Sequence, residues 1–166
     1  MKRSLFSCFS LLLLLALMAG CQSTKKDFVG VDGDYVTGSP LPDRQEGVSF
    51  LGGNVSRGDF EPIYFNFDSF SIAGSEAGKI TAIAAAMRNG NANIIVAGFT
   101  DESGTEEYNR VLGERRALAV RDALITEGIS GARIRTVSFG EELPANPGSG
   151  ESAWSKNRRA EIGVVR

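Results

Sequence analysis

The sequence predicts an α+β fold, a βαβαββ sandwich with two main helices packed on one face of a mixed four-stranded sheet. Three observations carry this expectation. "IYFNF" and "NIIVAGF" are short, nearly all-apolar runs of strand type. "SEAGKITAIAAAMRNG" and the stretch from Thr105 to about Gly128 repeat apolar residues at helical spacing. After a Gly/Pro loop the chain closes on a further strand-type run, "RRAEIGVV".

Ile63 to Phe67 read as the first strand. The first helix takes Ser75 as its cap, places Ile80, Ile83, Ala84 and Met87 on one face, and stops at Gly90. Asn93 to Phe99 form a second strand whose unbroken apolar character suits a sheet centre. The second helix starts near Thr105. In "ISGARI", Ser130 caps a short turn, and a third strand runs on through Val137 and Phe139. The loop "GEELPANPGSGES" ends in a short helical turn around Trp154, ahead of the last strand. No internal repeat is visible.

The N-terminus has a different character. Lys2 and Arg3 precede an apolar run from about Phe6 to Ala19, too short for an ordinary membrane-spanning helix, followed by Leu17-Met18-Ala19-Gly20-Cys21. Residues 1–20 are therefore expected to be a secretory signal. "LMAGC" resembles the lipobox of bacterial lipoproteins, which implies acylation of Cys21 and a lipid anchor in a membrane. Cys8 would leave with the signal, so Cys21 could form no internal disulfide. Gln22 follows where an inner-membrane retention signal would carry Asp, so the expected destination is the outer membrane, with the folded part facing the periplasm.

Residues 21–61, rich in Gly, Ser, Asp and Pro, read as a flexible linker, and residues 62–166 as the folded head. A tether of ~40 residues spans roughly 35 Å on average and about 130 Å when extended. The competing expectation is that Phe28, Val29, Tyr35 and Phe50 dock part of it on the head.

Without Lys2 and Arg3 the chain carries 16 basic against 20 acidic side chains, a balance that does not favour nucleic acid. It has no histidine, no serine-nucleophile motif and no metal-ligand spacing, so neither catalysis, metal nor cofactor is expected. A carboxylate-pair hydrolase built on Asp68 with Asp101, or Glu141 with Glu142, is the weakest of the alternatives.

One residue is out of place. Asn109, Leu112, Gly113, Arg116, Val120, Ala123 and Leu124 share one helix face, and Arg116 stands near the middle of that otherwise apolar or small stripe. A guanidinium aimed at a core is costly unless it is paired. Asp101 lies just past the C-terminal end of the second strand, and Asp68 just past the first. If those strands run parallel, Asp68, Asp101 and Arg116 converge at one edge of the sheet. Two readings fit. One is a small zwitterion-binding cleft, in which a carboxylate takes an ammonium group while Arg116 and free backbone N–H groups of "DESGT" take a carboxylate. The other is a structural Asp101–Arg116 pair locking loop to helix.

"IYFNFDSFSI", "GFTDESGTEEYNRVLGERRALAV", "VSFGEELP" and "WSKNRRAEIGVV" resemble, in order and spacing, the OmpA-like C-terminal domain family, and within it the branch of peptidoglycan-associated lipoproteins. The resemblance covers essentially all of residues 62–166. It implies non-covalent binding of the peptide stem of peptidoglycan, centred on diaminopimelate, and a periplasmic Tol-type protein as a possible second partner. It implies ligand contacts at Asp101 and Arg116, with Phe67, Asp68, Asn109 and Leu112 beside them. Asn157, Arg158 and Arg159 fall on a late motif expected to support the site. Phe99 stands where many members carry His, and Phe139 where Tyr is common; altered packing is the expected consequence.

Overall fold

Strand β5, Arg159–Val165, is the strand on which most of the sheet is assembled in the computed structural model, which describes residues 49–166. Cys21, Phe28, Val29 and Tyr35 fall outside the described residues. The elements follow as β1 (Val55–Arg57), β2 (Ile63–Tyr64), α1 (Ala77–Arg88), β3 (Ile94–Phe99), α2 (Glu106–Thr126), β4 (Ile134–Gly140), α3 (Glu151–Asn157) and β5. The sheet order is β1-β5-β3-β4, with β2 also on β5. Strands β3 and β4 are parallel, while β1, β2 and β3 all run antiparallel to β5. The fold class is the α+β sandwich the sequence predicts, with one strand more.

That extra strand comes from the segment read as linker. Val55 pairs with Val165 and Ile63 with Ala160, so β1 and β2 sit end to end along one edge of β5. Folded structure thus precedes Pro62. Strand β2 is shorter than expected because the chain leaves the ladder after Tyr64; Phe65 still donates its N–H to the Arg158 carbonyl at 2.9 Å. Since β2 and β3 both oppose β5, they point the same way, and Asp68 and Asp101 emerge at the same edge of the sheet.

The period-two alternation of β3 divides the apolar core. Ile94 and Val96 join Ile83, Val120, Leu124 and Ile162 beneath the helices. Ile95, Ala97 and Phe99 face the other way, onto Phe50, Val55 and Phe139. Phe99 stacks on Phe139 at 5.4 Å between centroids, Phe50 meets both rings, and the Arg159 guanidinium lies 3.9 Å from the Phe99 centroid. Phe99 therefore belongs to a packed layer on the face away from the helices, as its alternation requires. Phe50 is the part of the tether expectation that docks.

Helix α2 begins where the sequence places it: the Thr105 hydroxyl accepts from the Tyr108 N–H at 3.2 Å. Helix α1 does not. Ser75 lies in a single 3-10 turn, Gly74–Glu76, and makes no side-chain cap. The Glu76 carboxylate binds the Tyr64 N–H and the Lys79 ammonium instead, tying the helix start to β2.

Two glycines bring α2 against the sheet. A Cβ on Gly98 would lie 1.9 Å from the Gly113 carbonyl oxygen, and one on Gly113 2.3 Å from Ser138 Oγ. Backbone thus rests on backbone, which fixes Asn109, Leu112 and Arg116 over the end of β3. A methyl at Gly98 would have to force helix and strand apart, so Gly98→Ala is expected to abolish cooperative unfolding. Phe50→Ala, which empties the far-face layer, is expected to cost about 3–5 kcal/mol in chemical denaturation. Unchanged stability in Phe50→Ala would show that this layer contributes nothing.

Candidate ligand-binding cleft

At the edge where β2 and β3 end, a cleft of about 220 Å³ is lined by Phe67, Asp68, Thr100, Asp101, Ser103, Gly104, Tyr108, Asn109, Leu112 and Arg116. Every residue the sequence assigns to direct ligand contact is in this lining. Its volume lies below the roughly 300–1,000 Å³ of sites for drug-sized molecules, so it suits the end of one side chain rather than a whole peptide.

Arg116 forms the floor and is fully buried. Its Nε donates to the Ser69 carbonyl at 2.8 Å, Nη1 to the Phe99 carbonyl at 2.8 Å and Nη2 to the Asn66 carbonyl at 3.3 Å. The Phe65 ring lies 5.3 Å from the guanidinium carbon. Three of its five N–H donors are thus satisfied by neutral carbonyls, with no carboxylate in direct contact among the described residues. Burial pulls its pKa down to about 10, against the opposing pull of Asp101, so the group stays charged at neutral pH.

Asp101 has a different partner from the one spacing suggests. Its Oδ2 accepts from Arg158 Nη1 at 3.2 Å, and its Oδ1 from the Ser103 N–H at 2.9 Å. Arg158 is itself buried, donates to the Phe65 carbonyl at 3.3 Å, and makes a second ion pair with Glu151 of α3. The hydrogen bonds of Glu151 hold the Arg158 guanidinium above its ordinary pKa, with Asp101 adding to the shift. The direct Asp101–Arg116 lock therefore does not form, because Arg158 reaches the carboxylate and the carbonyls take Arg116.

Asp68 has a φ of 50°, the one non-glycine residue with positive φ among the described residues. It accepts a hydrogen bond from the Tyr108 hydroxyl, which joins the two sides of the mouth and raises the tyrosine pKa. Asn109 is buried and donates to the Ser103 carbonyl at 3.1 Å and to Glu141 Oε2 at 2.5 Å, holding the 101–104 turn from below. Asn157 lies outside the lining. Its amide bonds both the N–H and the carbonyl of Asn146, at 2.9 Å each, pinning the Gly/Pro loop. Arg159 is also outside, over Phe99.

The sequence reading passes over Thr100 and Tyr108, and takes Ser103 and Gly104 only as part of the "DESGT" turn with free backbone N–H groups, of which the Ser103 N–H is in fact bonded to Asp101 Oδ1. Tyr108 falls outside the apolar stripe and is half exposed, so periodicity could not find it. Thr100 is adjacent to Asp101 and should share the helix side of the sheet with Gly98, a placement that strand alternation could have supplied. It is buried, and its hydroxyl has no hydrogen-bond partner among the described residues. Among those residues no group of three metal-binding side chains exists, and no helix is long and apolar enough to cross a membrane.

The OmpA family model matches residues 64–158, more than half of the chain. The peptidoglycan-associated lipoprotein of Pasteurella multocida is 39% identical over 147 residues, which cover 88% of this chain and 89% of that one. That of Pseudomonas aeruginosa is 32% identical, covering 92% and 93%. In three dimensions the crystal structure of the peptidoglycan-associated lipoprotein from Burkholderia pseudomallei superposes with a TM-score of 0.59 at 39% identity, over 63% of this chain and 87% of that chain. The C-terminal domain of Helicobacter pylori MotB superposes at 0.61 with 27% identity, over 64% and 85%.

A buried hydroxyl without a partner costs folding energy that an isosteric methyl does not. Thr100→Val is therefore expected to raise the unfolding free energy by ~1 kcal/mol, read from denaturant melts. A loss of similar size would show that the hydroxyl is paired in the folded protein.

Proposed function

The chain belongs to the OmpA family, and from that membership and the cleft we propose that it binds peptidoglycan non-covalently through diaminopimelate of the peptide stem. The observation that supports this most is the pairing in one small cleft of a buried cation, Arg116, with a carboxylate that Arg158 and the Ser103 N–H orient, Asp101. A zwitterionic centre presents the complementary charges: its carboxylate meets the remaining Arg116 donors and its ammonium meets Asp101 and Asp68. The protein on this reading is a binding protein and not an enzyme.

Acylation at Cys21 would fix the chain to the outer membrane, and the segment from there to the head would reach the wall, so that wall binding anchors membrane to peptidoglycan. Its place would be in a Tol-Pal-type envelope system. A second reading, a lipid-anchored module whose main ligand is a periplasmic protein, draws on the exposure of Phe67, 65% accessible at the mouth of the cleft.

Sedimentation of the full chain in detergent with isolated sacculi tests the proposal. Wild type is expected to sediment, and Asp101→Asn, with folding checked by circular dichroism, to lose at least about tenfold in affinity. Full retention in the variant sinks the site assignment. A folded wild type that stays in the supernatant sinks the wall reading and leaves the protein partner.

A further inference from the structure

We propose that a second groove, on the outer surface of α2, is a subsite for an acidic residue adjoining the diamino acid in the bound stem. This rests on the reading of the cleft given above. The groove is shallow, about 310 Å³, and is lined by Glu107, Tyr108, Val111, Leu112 and Arg115. Tyr108 and Leu112 also line the cleft, so the two depressions share a wall and lie next to each other on α2. An exit from the cleft is required, because a cleft of about 220 Å³ holds a side-chain end and little more.

The chemistry of the groove points to its occupant. Positions 108, 111, 112 and 115 of α2 recur at helical spacing and form one continuous strip. Tyr108 is 49% and Val111 53% exposed, large apolar surfaces left open to solvent. At the end of the strip Arg115 lies over the Phe70 ring, 5.6 Å from its centroid, and makes no ion pair among the described residues. Its neighbour Arg110, by contrast, is paired with both Glu106 and Glu142. An aromatic ring under a guanidinium holds the cation in place while leaving its N–H edge free for a carboxylate. Glu107, also in the lining, repels an anion and confines the acidic group to the Arg115 end. A short aliphatic stem ending in a carboxylate fits this arrangement, its methylenes on Val111 and Tyr108 and its charge on Arg115.

Calorimetric titration of the full chain in detergent with two ligands, free diaminopimelate and a stem tripeptide with a glutamyl residue before the diaminopimelate, tests the subsite. Arg115→Gln is expected to weaken the tripeptide roughly three- to tenfold while leaving free diaminopimelate unchanged. Val111→Glu, which adds an anion to the groove, is expected to weaken the tripeptide at least as much, again selectively. Equal effects on both ligands, or no effect on either, overturn the subsite. Asp101→Asn tests the cleft independently: loss of neither ligand in that variant fails the cleft reading, whatever the groove variants do.

Discussion

Everything at the ligand edge depends on how a fully buried arginine is satisfied. Among the described residues no carboxylate meets Arg116 directly, and its donors are answered by the carbonyls of Asn66, Ser69 and Phe99. Two of those follow β2 and one closes β3, so a single guanidinium ties both strand ends to α2. Burial lowers the pKa of Arg116, and Asp101, which makes no direct contact with it, opposes that shift only in part. The remaining positive potential is what a carboxylate ligand would meet.

The opposite charge is held by a separate network. Arg158, next to β5, reaches Asp101, Glu151 and the Phe65 carbonyl. Trp154 adds a bond of 3.0 Å from its indole N–H to Glu102, fastening α3 to the same turn. The two charges of the cleft are thus positioned by different parts of the fold, and the Gly98–Gly113 contact holds α2 close against β3. On the far face the Phe50–Phe99–Phe139 layer buttresses β3 from below. Phe99 contributes its ring to that layer and its carbonyl to Arg116.

What could be read from the sequence was what repeats. The α2 stripe from Asn109 to Leu124 follows the helical period, and the misfit of Arg116 within it was visible for that reason. The relation of Asp68 to Asp101 followed from two strands of the same sense. What escaped had no local signature. Strand β1 is three residues within a Gly-rich stretch, too short to show alternation, and exists because Val55 to Arg57 find an open edge of β5. Phe50 is buried in a cluster that includes Phe99 and Phe139, which are far away in sequence and close in space. Spacing gave Asp101 to Arg116, whereas the fold gives it to Arg158, since proximity along the chain does not reveal which cation reaches a carboxylate.

The proposed binding mode stands on Arg116 and Asp101 together holding a zwitterionic centre. The most direct measurement is a crystal structure of the protein grown with diaminopimelate. A ligand carboxylate is expected within hydrogen-bond distance of the Arg116 guanidinium and an ammonium group against Asp101, with Arg116 still bonded to the Phe99 carbonyl. Diaminopimelate bound elsewhere, or lying in the cleft without touching either charge, would contradict it.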